Sequence, residues 1–363
     1  MKIREVYLRE TKSYANHTPE VTDDMLDCSL GVNPYGPPEE ALEAIRQFDL
    51  NRLGAYPHSH AAHDAIIEYW KNQTALTREN ILLVDGSVSG IYLINQLFAK
   101  PSAEVVGFFP TFTDMIVNVE MHEMRYIGVP PTADDYSENV EKLMESICEK
   151  TALVYIDNPN NPTGQLLKKE DIMPVLEKAK ELGVYVLVDE AYGDFVTREE
   201  SMISELGNFS NLLVLRTFSK GFGLAGLRAG YILAAPELVS YMGKTSNPYT
   251  MNELTREAVA AAMKRVEYGA SHAKDIAAMK QQIRQTVGNK LELLCTDDRV
   301  PICTLKHKDG MDLQALLCKV GVLAVSGVEF DAMDASCVRL RVPEEKDLAR
   351  MLAALRKVDQ GEV

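Results

Sequence analysis

One lysine stands where an apolar stretch gives way to a glycine-rich loop. Lys220 follows the run Asn211 to Thr217, and glycines recur at positions 221, 223, 226 and 230 after it. A residue between a buried strand and such a loop lies where ligands usually bind in an α/β sheet. Its amine can bond covalently to a carbonyl compound, and glycines let the backbone come close to the ligand. Lys220 is therefore the candidate centre of an active site.

The same glycines also match a second motif. Gly221, Gly223 and Gly226 fit the GxGxxG pattern of dinucleotide-binding loops, which should open a helix inside a βαβ unit. Here the next apolar run, Ala229 to Leu233, follows almost at once and predicts another strand. The pattern therefore disfavours a dinucleotide-binding loop.

Three other polar stretches follow apolar runs. In Asp85 to Gly90 (DGSVSG), free backbone N–H groups and small side chains suit a phosphate, although ordinary helix capping uses the same residue types. Asn158 to Gly164 (NPNNPTG) contains two Asn-Pro steps that fix a nonhelical turn, which can aim an amide inward. Asp189 ends the run VYVLVD, where a carboxylate needs a cation or a metal as a partner. No nearby cluster of His or Cys supports a metal.

Two hydroxyls and a guanidinium near the lysine complete the set. Thr217, Ser219 and Arg228 suit a phosphate group. Together the polar stretches offer an anion cradle, a carboxylate for a buried cation, and an amine. Pyridoxal 5'-phosphate presents the matching groups, namely a phosphate, a pyridinium nitrogen and an aldehyde. The sequence therefore predicts pyridoxal phosphate as the cofactor.

The elements that must position these residues have the pattern of an α/β protein. Short apolar runs alternate with helical patterns between about residues 46 and 260, as in a mostly parallel sheet covered by helices on both faces. The predicted strands are Ile81–Val84, Glu104–Phe108, Arg125–Val129, Ala152–Ile156, Val184–Val188, Leu212–Thr217 and Ala229–Leu233. The predicted helices are Gly90–Ala99, Ser137–Glu149, Lys169–Leu182 and a nearly continuous pattern from Glu253 to about Leu294.

The last part of the chain has a different pattern. Short predicted strands, Val322–Val325 and Val338–Val342, precede a final helix, Glu344–Val358, as in a small α+β domain. We expect residues 1–45 to form an N-terminal arm and part of the small domain. Residues 46–260 would form the large cofactor-binding domain, and residues 261–363 the C-terminal small domain.

Composition excludes some partners. The chain has 363 residues and a formal net charge of −15, which argues against a nucleic-acid or anionic-membrane surface and is compatible with a cationic substrate. No apolar run reaches the length of a membrane helix. The six cysteines show neither a CxxC motif nor pairing with histidines, so we expect reduced thiols, no metal site and a cytoplasmic location.

At this point a family resemblance is apparent. NPNNPTG, DEAY and SK followed by GLR resemble the aspartate aminotransferase superfamily, the fold type I pyridoxal-phosphate enzymes. The arm NPYGPP, the pair Tyr56-Pro57, ILLVDGS and PTF are most similar to the histidinol-phosphate aminotransferase and threonine-phosphate decarboxylase subgroup. The resemblance implies the aspartate aminotransferase-like fold, with a mostly parallel seven-stranded sheet and a smaller α+β domain. It also implies a homodimer with shared active sites.

The resemblance assigns a role to each matching residue. Lys220 would be the Schiff-base lysine and proton shuttle, Asp189 would pair with the pyridine nitrogen, and Tyr192 would share the ring hydroxyl with Asn161. Phe112 would stack on the ring. The residues implied for the cofactor phosphate are Gly86, Ser87, Val88, Thr217, Ser219, Arg228 and, from the neighbouring subunit, Tyr56. Phe112 and Tyr56 also fit plain core or interface aromatics.

The substrate residues are less closely specified. Arg339 matches the arginine that grips a substrate carboxyl or phosphate group, with Arg341 as a nearby competitor. Histidinol-phosphate aminotransferases usually carry a second arginine where this chain has Val325, so we expect a substrate without a phosphate. Other groups would then recognise the substrate side chain. The candidates are Asn33, Tyr14, His17, Asp23, Asp114 and Tyr249.

Three functions remain open from the sequence. The first is an aminotransferase that exchanges amino groups between an amino acid and a 2-oxo acid. The second is a lyase, decarboxylase or cyclase of the same fold that acts on an amino acid such as an arginine derivative. A third, a sensing domain without turnover, is disfavoured because the chain has no room for an appended DNA-binding module and is acidic.

Overall fold

A seven-stranded sheet forms the centre of the protein, in a computed structural model that describes residues 3–12, 22 and 24–363. Its strands lie in the order Ile81–Val84, Gly230–Leu233, Leu212–Thr217, Tyr185–Asp189, Thr151–Asp157, Glu104–Phe108 and Arg125–Val129. Neighbouring strands are parallel except Gly230–Leu233, which is antiparallel to the strands on both sides. The predicted mostly parallel sheet is confirmed.

Both faces of this sheet are buried. Within one strand, Val154 and Ile156 belong to one apolar core, whereas Leu153 and Tyr155 belong to another. Because side chains alternate between the faces of a strand, helices must cover both faces. The helices in this part of the chain are Glu39–Arg46, Ala61–Trp70, Ser87–Phe98, Thr113–Met121, Val140–Ser146, Lys169–Glu181, Pro236–Gly243 and Glu253–Ala262. No helix among the described residues has both the length and the apolar character needed to cross a membrane.

A third core lies around two smaller sheets. One has four antiparallel strands in the order Val325–Ser326, Cys337–Arg341, Ile302–His307 and Leu291–Leu293. In the other, Leu26–Asp27 pairs in parallel with Val322–Leu323, so the N-terminal segment joins the C-terminal part of the chain. The helices of this part are Ala273–Thr286, Leu313–Lys319 and Glu345–Gln360.

The predicted continuous helix from Glu253 to about Leu294 is wrong. The structure has one helix over Glu253–Ala262 and another over Ala273–Thr286, followed by the strand Leu291–Leu293. Between the helices Glu267 adopts a positive φ of 56°, which no α-helix contains. Gly269 then packs so closely on the backbone of Asp194 that a Cβ would overlap its carbonyl oxygen. This contact between distant segments interrupts a pattern that is locally helical.

Candidate active site

A cavity of about 330 Å³ lies where the central parallel strands end. Asp157 and Asp189 close their strands beside it, and Lys220 follows Leu212–Thr217 by three residues. Eleven of the predicted site residues line this cavity. They are Ser87, Val88, Phe112, Asp114, Asn161, Asp189, Tyr192, Ser219, Lys220, Arg228 and Arg339.

The amine of Lys220 lies in a cationic and largely desolvated environment. Its Nζ is 5.5 Å from the centre of the Tyr192 ring. Desolvation lowers the pKa of Lys220 to about 7, and the charges of Arg339 and Arg228 act in the same direction against that of Asp189. A lysine with a pKa near neutrality both donates and accepts protons under physiological conditions.

Asp189 faces the cavity from the end of a buried strand. Its Oδ2 accepts a hydrogen bond from the Tyr155 hydroxyl at 3.1 Å, and its Oδ1 accepts one from the backbone N–H of Ala191 at 3.0 Å. Desolvation raises the pKa of Asp189 to about 6 despite both hydrogen bonds and the nearby charge of Lys220. A cation bound in the cavity would hold this carboxylate in its charged form.

An anion cradle lies at the start of the helix Ser87–Phe98. Gly86 precedes that helix with a φ of 84°, and a Cβ at this position would overlap Nη2 of Arg228. The glycine therefore lets the guanidinium approach the free N–H groups of the first turn. Arg228 donates from Nη1 to Ser219 Oγ at 3.3 Å, and Thr217 Oγ1 donates to the same oxygen at 3.0 Å. Gly86 and Thr217 thus help to position Arg228 and Ser219, which line the cavity.

Arg339 connects the small antiparallel sheet to the NPNNPTG turn. Its side chain is 2% exposed, and it donates from Nη1 to Asn161 Oδ1 at 2.9 Å and from Nη2 to Ser29 O at 2.6 Å. The backbone N–H of Asn161 in turn donates to Asp157 Oδ2 at 3.0 Å. These bonds fix the direction of a guanidinium that reaches the cavity.

Of the described candidates, Asn33, Tyr56 and Tyr249 do not line the cavity. Asn33 does not line the cavity, because its Nδ2 donates to Gly221 O at 2.7 Å and so holds the loop after Lys220. Tyr56 is 66% exposed, and its ring stacks on Tyr249 with centroids 4.1 Å apart. Tyr14, like His17 and Asp23, lies outside the described residues.

Comparison with known proteins decides what kind of site this is. The family model for aminotransferase class I and II matches residues 23–355. The chain belongs to this family. Its members transfer amino groups with pyridoxal phosphate, and this aminotransferase is therefore a pyridoxal-phosphate enzyme that acts on an amino acid.

Individual relatives of this aminotransferase agree in sequence and in fold. A histidinol-phosphate aminotransferase from Dehalococcoides mccartyi is 32% identical over 345 residues, which cover 94% of this chain and 92% of the relative. The crystal structure of the histidinol-phosphate aminotransferase from Clostridium acetobutylicum has a TM-score of 0.82 at 24% identity, covering 93% of this chain and 100% of the other. That of the Sinorhizobium meliloti histidinol-phosphate aminotransferase, in complex with pyridoxal-5'-phosphate, has a TM-score of 0.81 at 22% identity, covering 100% and 98%. These two likenesses support the aspartate aminotransferase-like fold.

The residues of this aminotransferase fit pyridoxal phosphate. The donor set at one end, a helix N-terminus with hydroxyls and a guanidinium, suits a phosphate. The desolvated carboxylate of Asp189 suits a protonated ring nitrogen, and the amine of Lys220 suits an aldehyde. Gly86 leaves open the space that a side chain would fill.

Asp157 and Gly31 line the cavity but were not among the predicted site residues. Asp157 accepts hydrogen bonds from Thr111 Oγ1 at 2.7 Å and from Asn160 Nδ2 at 3.1 Å, and desolvation raises its pKa to about 7. Its position directly before NPNNPTG, in register with Asp189 on the next strand, was the available signal. Gly31 also lines the cavity, where a Cβ would overlap the Tyr192 hydroxyl.

Proposed function

We propose that this aminotransferase accepts amino donors with a free α-carboxylate, passes the amino group to a 2-oxo acid, and uses Lys220 as its proton carrier. One observation supports the proposal above others. Lys220, with a pKa lowered to about 7, shares one cavity with the carboxylate of Asp189 and the guanidinium of Arg339.

The cofactor residues divide by the group that each would hold. When bound, pyridoxal phosphate supplies an aldehyde that takes up the amino group and a ring that accepts electrons. Asp189 would keep the ring nitrogen protonated, Asn161 and Tyr192 would donate to the ring hydroxyl, and Phe112 would pack on the ring. The phosphate would be held by Gly86, Ser87, Val88, Thr217, Ser219 and Arg228.

Lys220 would move one proton between the substrate Cα and C4' of the cofactor. For this task the amine must be free when it accepts the proton and charged when it gives the proton back. A pKa near neutrality minimises the cost of both states. The half-reaction balances when the amino acid leaves as a 2-oxo acid and its amino group stays on the cofactor.

The lowered pKa of Lys220 predicts how the apoprotein takes up pyridoxal phosphate. Only the free amine attacks the aldehyde, so the rate should rise about tenfold from pH 6 to pH 8 and level off above it. A lysine with the usual value of 10.5 would instead gain about tenfold per pH unit through pH 9. Stopped-flow absorbance of apoprotein mixed with the cofactor distinguishes these profiles.

Arg339 is the candidate for binding the anionic group of the donor. Among the cavity-lining cations of the described chain, Lys220 serves as the proton carrier and Arg228 lies at the phosphate cradle, which leaves Arg339. Its neighbour across the sheet is Val325, which adds no charge. A single guanidinium matches a carboxylate better than it matches a doubly charged phosphate ester.

Arg339→Lys should raise the KM for the amino donor and lower kcat/KM about 10- to 100-fold, because one charged hydrogen bond of a bidentate pair is lost. Arg341→Lys is the matched control. Arg341 donates to Val342 O and Asp27 O, at 2.9 and 2.8 Å, and does not line the cavity. Equal losses in both variants would contradict the assignment.

Steady-state kinetics with two kinds of donor tests the choice of anion. The relatives are named histidinol-phosphate aminotransferases, so histidinol phosphate is the competing donor. We expect higher kcat/KM with α-amino acids than with histidinol phosphate, and a second substrate dependence on 2-oxo acid. If histidinol phosphate proved the better donor, the α-carboxylate would have to be abandoned as the recognised group.

Exposed apolar side chains near Tyr56 support a homodimer. Leu50 and Leu53 are 70% and 55% exposed on the segment that leads to Tyr56, and Tyr249 beside it is 44% exposed. We infer that this surface is buried between subunits and that Tyr56 of each subunit reaches the other's cofactor phosphate. Sedimentation of an active monomer with full cofactor content would refute the inference.

The cellular location and the division into domains are also proposals. The six cysteines form no disulfide, which suits a reducing compartment such as the cytoplasm. The division into an arm at 1–45, a large domain at 46–260 and a small domain at 261–363 is supported by one apolar core that draws mainly on residues after 261, although it also includes Tyr192, Phe195 and Val196.

A further inference from the structure

A third carboxylate, that of Asp114, lines the cavity in addition to those of Asp157 and Asp189. Asp114 lies in the first turn of the helix Thr113–Met121, two residues after Phe112, and is half-buried. Desolvation raises the pKa of Tyr92 on the helix Ser87–Phe98, and the negative charge of Asp114 acts in the same direction. Asp114 shares the cavity lining with Ser87 and Val88, which lie in the first turn of that helix.

The three carboxylates differ in which protein groups offset their negative charge. Asp189 and Asp157 accept hydrogen bonds from hydroxyl, amide or backbone donors. Within the described part of the chain, no hydrogen bond or ion pair reaches the carboxylate of Asp114. Desolvation raises the pKa of Asp114, and no cation among the described residues opposes that shift.

The helix alone does not explain this residue. A carboxylate in the first turn gains from the helix dipole whichever way it faces. Asp114 accepts no hydrogen bond from the backbone of its own helix, and its half-buried side chain lines the cavity. A partly desolvated, uncompensated charge is unfavourable unless a ligand supplies the opposite charge.

The charges of the cavity can be matched to those of its ligands. Arg228 has the cofactor phosphate, Asp189 the ring nitrogen and Arg339 the α-carboxylate of the donor. Asp157 also lines the cavity, but hydrogen bonds from Thr111, Asn160 and the backbone of Asn161 hold it within the protein. Asp114 is therefore the carboxylate without a partner, and the substrate side chain is the part of the ligand that has not yet been matched.

We propose that Asp114 binds a cationic group on the side chain of the amino donor, so that the donor is an amino acid ending in an ammonium or guanidinium group. The inference rests on the proposed function and names its substrate class. Asp114 would then determine specificity and take no part in proton transfer.

Matched pairs of donors test this inference in the holoenzyme. L-Lysine and L-arginine are compared with their neutral counterparts, L-norleucine and L-citrulline, in the wild-type enzyme, in Asp114→Asn and in Glu120→Gln. Glu120 is an exposed carboxylate of the same helix and does not line the cavity. We expect the wild type to favour the better cationic donor over its counterpart by about 10- to 100-fold in kcat/KM.

Asp114→Asn should abolish that preference and leave the neutral donors within about twofold, whereas Glu120→Gln should change neither. A wild type that prefers neutral donors overturns the proposal without any variant. So does an Asp114→Asn variant that loses activity equally with both members of a pair, because a helix-stabilising residue would act in this way. If no amino acid donates its amino group to the wild type, the proposed function itself fails, which is a separate outcome.

Discussion

Lys220→Ala is expected to lower the rate of amino-group transfer by at least about 10⁴-fold while the protein still binds pyridoxal phosphate. General acid–base catalysis alone accounts for about 10²- to 10⁴-fold, and the loss of the covalent attachment adds to it. Binding should survive because the phosphate cradle and Asp189 do not depend on the amine. Cofactor content by absorbance and turnover by release of oxo acid are measured on the same sample.

An added small amine provides the control for this variant. The cavity left by Lys220→Ala has room for methylamine, which can accept and return the proton when it is supplied in solution. Partial recovery that grows with the methylamine concentration indicates a lost proton carrier and not a lost fold. Turnover at the wild-type rate without added amine would show that another group carries the proton.

Arg216→Met is expected to lower the free energy of unfolding by about 3–5 kcal/mol, because it leaves two buried carboxylates without their cation. Arg216 is 2% exposed and donates from Nη1 to Glu190 Oε2 at 2.7 Å, while its Nη2 pairs with Asp194. Its guanidinium also lies 5.2 Å from the centre of the Trp70 ring. Urea unfolding of the apoproteins measures the difference.

Arg46→Met is the comparison variant for Arg216→Met. Arg46 pairs with Glu39 at 2.6 Å, but both side chains are exposed, so this loss should cost far less stability than Arg216→Met does. The deficit of Arg216→Met should also shrink at low pH, since desolvation raises the pKa of Asp194 and its protonation removes one uncompensated charge. Equal costs in the two variants would contradict the importance assigned to burial. The cost of Arg216→Met also bears on the active site, because Glu190 directly follows the cavity residue Asp189 in the sequence.

The central sheet could be predicted from the sequence because its strands are buried on both faces. Leu212–Thr217 and Glu104–Phe108 have the predicted bounds, since both are short, largely apolar segments in which every residue is buried. Helix ends were harder to place. The predicted start at Ser137 falls three residues before Val140, where the side chain of Asn139 accepts from the N–H of Lys142 and caps the helix.

Contacts between distant segments could not be predicted. Nothing local indicates that the Asn33 amide bonds to Gly221 O, 188 residues further along the chain, instead of facing the substrate. The strand Ile302–His307 also escaped prediction, because its burial comes from pairing with Cys337–Arg341 and Leu291–Leu293. The residues of the cofactor cavity were predictable because they occur in contiguous motifs at strand ends, whereas a single residue such as Asp157 carries no motif of its own.

A single-turnover experiment tests most directly whether the Lys220 cavity transfers amino groups. The purified holoenzyme is mixed with L-lysine, L-arginine or L-norleucine in the absence of any 2-oxo acid, and the cofactor absorbance is followed with the products. We expect conversion of the bound cofactor to its amine form and release of one 2-oxo acid per active site. Release of carbon dioxide or ammonia from the donor, with the cofactor back in its original form, would contradict amino-group transfer.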